Sequence, residues 1–228
     1  VSETDSFIEE VTEEVRRDKL FALFRRYGWI GILAVLLIVG GAGWNEWRKA
    51  QDRAAAEALG DRMISALESD SALSRAAALG DIPTEGAGQD MLIALARAGE
   101  LSAAGDTAAA VEALQQVAAN GDVPEIYRRL AGFRALVLQT DLPAEERRRQ
   151  FESFAQAGGI LRLLSEEQIA LIDIGTGAQD AALDRLGRIV QDAEATTGLR
   201  RRASQLIVSL GGEVPQIASS LAETPLDQ

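Results

Sequence analysis

The groups that could do chemistry in this chain are carboxylates and arginines, because it contains no histidine and no cysteine. Their absence removes imidazole acid/base catalysis, thiolate chemistry, disulfides and the usual zinc ligands together. Adjacent carboxylates occur at Glu9/Glu10, Glu13/Glu14, Glu145/Glu146 and Glu166/Glu167. Neighbouring residues on a helix point about 100° apart, so none of these pairs makes a ready acid/base dyad, and they read as solvated faces. Gly175-Thr176-Gly177-Ala178 is glycine-rich but follows a helical pattern and lacks the strand and lysine of a phosphate loop, so it reads as a turn. The runs Arg147 to Arg149 and Arg200 to Arg202 could hold acidic partners or lipid headgroups; pairing with nearby glutamates on a solvated face is the simpler reading. No catalytic, metal or cofactor-binding residue is assigned, and no small-molecule substrate is implied. A net charge of -12 lacks the basic face that must offset phosphate, which sets nucleic acid aside.

With chemistry set aside, the elements themselves carry the information. Across 228 residues, hydrophobic residues make up 47% and aromatics only 5%, and the apolar set is dominated by alanine, the composition of helix packed closely on helix. From Tyr27 to Asn45 the sequence has no charge. A helix of about nineteen residues rises about 28 Å, close to the hydrocarbon thickness of a bilayer. Tyr27 and Trp29 precede the apolar run and Trp44 and Trp47 follow it, at the headgroup levels that amphipathic rings favour. The expected organisation is a cytoplasmic charged tail with an amphipathic helix (1–26), a transmembrane helix (27–47), a linker helix and loops (48–88), a helical domain (89–212) and a C-terminal tail (213–228).

The run reads as a signal anchor rather than a cleaved leader, since nearly thirty residues, acidic at their start, stand before it. Arg16, Arg17, Lys19, Arg25 and Arg26 precede it and Arg48, Lys49, Arg53 and Arg62 follow, a small excess that favours a cytoplasmic N-terminus. Between Tyr27 and Asn45 there is no charged residue and no Gly-x-x-x-Gly pair, but Gly40, Gly41, Ala42 and Gly43 make one end small-sided, a face on which another helix could pack closely. Within the tail, Thr4, Asp5 and Ser6 offer capping oxygens, and Phe7, Val11 and Val15 repeat every four residues.

Beyond the span, helices are expected over Arg48 to Leu67 and near Leu73 to Leu79. Hairpins follow, pairing Gln89 to Ala104 with Thr107 to Ala119, Glu125 to Gln139 with Ala144 to Gln156, and Glu166 to Gly175 with Asp180 to Ala193. A last helix is expected over Gly198 to Leu210. Gly105-Asp106, Asp141-Leu142-Pro143 and Gly175 with Gly177 supply the turns. The first and third hairpins align at a separation of 72 residues, placing Gly105 on Gly177, Ala110 on Ala182 and Leu114 on Leu186. That is two periods of about 36, near the helix-turn-helix repeat of tetratricopeptide arrays. Ala98, Ala110, Leu114 and Val117 hold the repeat spacing in the first pair, with Pro124 near the repeat end, and Ala170, Ala182, Leu186 and Ile189 hold it in the third. The reading is an all-α chain, an N-terminal transmembrane helix followed by a tetratricopeptide-like helical-hairpin solenoid. Repeat solenoids hold partners in the groove lined by their first helices, and Met91, Leu95, Arg128 and Phe133 are the expected lining.

The order of charged tail, span and a domain carrying AGELSAAGDTAAAVEALQQVA and then GLRRRASQLIVSLGG resembles the tetratricopeptide-like, single-span family of bacterial inner membranes. Its best-known type is the ancillary subunit of the Sec translocon (YfgM-like). The resemblance runs from Asp18 to Gly212, although the large aromatics usual in each first helix are missing and the middle pair departs from the spacing. It implies a periplasmic C-terminal domain, lipid and a membrane protein complex as neighbours, and a chaperone-like, non-enzymatic role toward unfolded exported polypeptides at the translocon. The alternative reading is a supernumerary subunit of another inner-membrane assembly, such as a respiratory complex.

Overall fold

A computed structural model of the chain describes residues 3–215, with side chains described from Arg25 onward except at 27, 28 and 32. Among these residues there are nine α-helices and no strand. The chain divides near Arg62 into two units, a long helix and a stack of shorter ones. The long helix, α1, runs over Glu3–Leu67 without interruption. No proline precedes Pro83, so nothing in this stretch removes a backbone donor. Its apolar stretch is long and apolar enough to cross a membrane, and that window is fully exposed in this structure. The tail face of Phe7, Val11 and Val15 lies outside the described side chains.

The stack comprises α2 (Ala72–Gly80), α3 (Ala87–Ala103), α4 (Thr107–Ala119), α5 (Glu125–Leu138), α6 (Ala144–Gln156), α7 (Arg162–Gly175), α8 (Gln179–Gln191) and α9 (Thr197–Ser209). Five of these eight helices start where the sequence offers a cap or a rigid lead-in. Ser71 Oγ accepts from Ser74 N at 3.0 Å, Asp106 Oδ1 from Ala109 N at 3.1 Å, and Thr196 Oγ1 from Leu199 N at 3.3 Å. Pro124 and Pro143, both with extended ψ, immediately precede α5 and α6, whose first turns carry Glu125 and the pair Glu145 and Glu146. One boundary of the stack differs by more than two residues from the sequence expectation. A 3-10 turn over Gly159–Leu161 runs directly into α7, which begins four residues before Glu166 because Leu161 and Leu163 are buried and hold the chain against the core.

Close packing is sequential, helix on next helix, the quasi-one-dimensional arrangement of a repeat solenoid. The recurrence at 72 residues is a recurrence of burial. Ala98 and Ala170, Ala110 and Ala182, and Leu114 and Leu186 are all fully buried. Small residues at these points let α3 approach α4, and α7 approach α8. The hairpin turns repeat as well. Gly105 has φ +83° and Gly177 φ +80°, a left-handed conformation costly for any residue with a Cβ. Just after them, Asp106 N donates to Leu101 O at 2.9 Å and Ala178 N to Asp173 O at 2.8 Å.

The middle pair is built differently. Phe133 on α5 meets Phe151 and Phe154 of α6 edge-on, with ring centroids 5.6 and 5.7 Å away, so aromatic side chains hold these two helices apart where alanines bring the others together. Three cores result. The first lies among α2 to α5 around Leu101, Leu114 and Val117, the second among α5, α6 and α7 around Phe151 and Ile169, and the third among α7, α8 and α9 around Leu186, Ile189 and Ile207.

Candidate interaction surface

The residues expected to line a partner groove take different positions. Met91 is buried in the first core and Leu95 packs half-buried against it, while Phe133 is buried in the second. Arg128 is half-buried, and its Nε finds no hydrogen-bond partner among the described residues. Three of the four are thus divided between two cores. The outward apolar side chains on the same helices are Leu92 of α3 and Ile126 and Tyr127 of α5. The edge of Met91 does reach a cleft of about 340 Å³, together with Asp90, Arg97 and Asn120.

On α1, Trp29, Trp44 and Trp47 are exposed, and the rings of the last two lie 5.1 Å apart. Ala42 is also exposed, and a Cβ added at Gly40, Gly41 or Gly43 would meet no other atom within 4 Å. The side chain of Tyr27 lies outside the described residues.

The charged runs behave as structural ties. Glu166 and Glu167 diverge, as their spacing requires. Glu166 pairs with Arg185 of α8, and Glu167 accepts two bonds of 2.7 Å from Nε and Nη2 of Arg202 on α9. Glu167 is only 6% exposed, so the expectation of a solvated face fails there. Of the first arginine run, Arg149 pairs with Glu146 on the surface, Arg147 lies over the Phe151 ring at 5.9 Å, and Arg148 reaches inward. Its Nη2 meets Asp173 Oδ1 at 2.7 Å, and Arg185 Nε meets Oδ2 at 3.4 Å. Asp173, 2% exposed, therefore joins α6, α7 and α8. Sequence reasoning missed it. Its signal was register, since Asp173 falls one turn after Ile169 and Ala170 on the stripe that α7 buries.

At the other end of α8, Asp192 is held below the usual carboxylate range by the backbone N–H of Glu194, and then by Arg162 and Arg200, against the opposing effect of burial. Hydrogen bonds to Glu194 and Asp192 raise the Arg162 guanidinium, and those to Glu167 raise Arg202. These ion pairs tie α7, α8 and α9 to one another. Among the described residues no group of three or more candidate ligands could hold a metal.

A second concave region was not anticipated. One cleft of about 350 Å³ lies between the start of α5 and the turn before α7, lined by Ile126, Arg129 and Ile160. Another, of about 390 Å³, lies between that turn and the start of α9, lined by Ile160, Leu163, Leu164 and Leu199. The geometry as a whole offers apolar surface and fixed charge for binding another polypeptide.

No curated protein and no solved structure matches the chain. The family model of the tetratricopeptide repeat-like domain matches residues 22–147, which takes in the apolar stretch of α1 and the helices from α2 into α6. With more than half of its length matched, and with helical hairpins stacked in sequence, the chain belongs to the tetratricopeptide repeat-like domain family.

Proposed function

We propose that this protein is a single-span, membrane-anchored scaffold whose solenoid holds protein partners at the periplasmic face of a bacterial inner membrane, beside the Sec translocon. The observation that carries the reading is the combination, in one chain, of a sequentially packed tetratricopeptide-like stack and an exposed apolar helix. Solenoids of this kind bind through extended surface rather than a reactive centre, which agrees with arginines and carboxylates bound to one another. The absence of charge between Tyr27 and Asn45 supports an anchor in the bilayer, and the flanking arginines support a cytoplasmic tail.

The test is purification of the full chain from membranes in mild detergent through a tag after Gln228, with photo-crosslinkers at Leu92 and Tyr127. Both positions are outward on α3 and α5, unlike Phe133. Translocon subunits or exported chains are the expected captures. Capture of another inner-membrane complex instead would refute the translocon as partner, and no specific capture from either position would refute the scaffold. A compartment-sensitive reporter fused after Gln228 reads orientation directly, with periplasmic activity expected.

A further inference from the structure

The two clefts beside α7 share Gly159 and Ile160, and so form one groove with a ridge across it. The ridge is Ile160, 69% exposed, and the wall across the first lobe is Ile126, 55% exposed. Neither exposure serves the second core, which Leu161 and Phe151 already fill. The ridge is held in place rather than loose. Gly158 and Gly159 turn the chain through positive φ, and Arg129 Nη2 donates to Gly158 O at 3.2 Å. A groove whose shape is set before binding spares its occupant part of the ordering cost.

Charge describes the occupant further. Glu125 stands at the first lobe with no ion-pair partner among the described residues, and Glu194 stands at the second, sharing Arg162 with Asp192. Arg129 is turned to the backbone. Both lobes thus carry a carboxylate beside apolar walls. In an extended chain, residues i and i+2 lie on one face about 7 Å apart, enough to clear a single side chain standing between them.

We propose that this groove takes a short extended segment of a partner polypeptide, with one large aliphatic side chain on each side of Ile160 and a basic residue beside Glu125. This rests on the scaffold reading and adds to it a place and a peptide chemistry. The probe is a fluorescein-labelled nonapeptide with leucines at i and i+2 and lysines outside them, titrated by anisotropy against the full chain in lipid nanodiscs. Saturable binding is expected, weakened about ten-fold by Ile160→Ser through lost apolar burial and about three-fold by Glu125→Gln. Leu73→Ser, on α2 and equally exposed, should leave it unchanged. All three sites are exposed, so the variants should keep the parent's circular dichroism.

Equal binding by Ile160→Ser and parent overturns the proposal, as does equal binding of a peptide whose lysines are replaced by glutamates. A dimer in sedimentation that Ile160→Ser returns to monomer overturns it in favour of a second copy. Binding that appears only after removal of residues 216–228 overturns it in favour of the chain's own tail. If the peptide fails while crosslinks from Leu92 or Tyr127 persist, the groove falls and the scaffold stands; if both fail, both fall.

Discussion

Replacing Asp173 by alanine should unfasten three helices at once. The carboxylate is nearly inaccessible and lies 2.7 Å from Arg148 of α6 and 3.4 Å from Arg185 of α8, each arginine side chain being 20% exposed. Removing one partner of a buried ion pair costs about 3–5 kcal/mol, because the remaining charge stays desolvated without compensation. Here Arg185 keeps Glu166, and Arg148 keeps only Glu145 at 3.8 Å, while both have some access to water. The expected loss therefore falls just below that range, about 2–3 kcal/mol. With a urea slope of about 1–3 kcal/mol/M, the midpoint should fall by about 0.7–3 M. Tryptophan emission would not see it, since Trp29, Trp44 and Trp47 all lie on α1. Far-UV circular dichroism of the full chain in micelles reads the unfolding, and amide hydrogen exchange reads its place. Faster exchange should be confined to α6, α7 and α8, leaving α2 to α4 protected, because a solenoid passes stability only between neighbours. A cost under about 1 kcal/mol, or an exchange increase spread evenly over α2 to α9, would refute the tie. An apolar exchange of all three partners, Arg148→Met with Asp173→Leu and Arg185→Met, should recover most of the loss.

Two further outcomes follow from single positions. Gly99 and Gly105 lie within and just beyond the same hairpin helix but should respond with opposite sign to alanine. At Gly99 a Cβ would come no closer than 3.9 Å to Arg134 Nη2, so substitution should raise stability by about 0.5–1 kcal/mol; at Gly105, with φ +83°, it should cost about 1–2 kcal/mol. Melting shifts of the same sign for both would contradict the turn geometry. For acid, the folded carboxyl of Asp192 sits below its unfolded value, so its stabilisation is complete above the unfolded pKa and is lost as pH falls through the folded one, below about pH 4. Glu146, lowered by Gln150 and Arg149, acts in the same direction. The urea midpoint should fall across this range in the parent and less steeply in Asp192→Asn. Identical slopes would remove Asp192 from the account.

How far the sequence carried the reading depends on whether the signal was local. The bounds of α4 and α6 agree with the caps and prolines that flank them, and the fully buried Ala98, Ala110, Leu114, Ala170, Ala182 and Leu186 sit on the periodic positions. The start of α7 was missed because a glycine pair looks like an open loop, whereas Leu161 and Leu163 are held by a core assembled from distant helices. Phe133 was placed in a groove on helix position alone; its burial depends on Phe151 and Phe154, which periodicity cannot bring to it. Glu167 and Asp173 have partners 35 and 25 or fewer residues away, and a local reading of charge treats them as solvated. Ile160 lies in a three-residue turn too short to carry any period.

The groove and the irregular middle of the stack have a common physical origin. Where alanine meets alanine, adjoining helices close on one another. Where Phe133, Phe151 and Phe154 intervene, α5 and α6 stand apart, and the chain must return to the stack through the Gly158-Gly159 turn rather than a tight hairpin. That return carries Ile160 outward beside the starts of α5 and α9, and the space it cannot fill becomes the two lobes. Narrowing the spacer should therefore reshape the groove without touching its walls. Phe154, only partly buried, is the gentler place to do so. Phe154→Leu should weaken the leucine-containing peptide while leaving Ile126 and Ile160 intact, and unchanged affinity would separate the groove from the aromatic spacer.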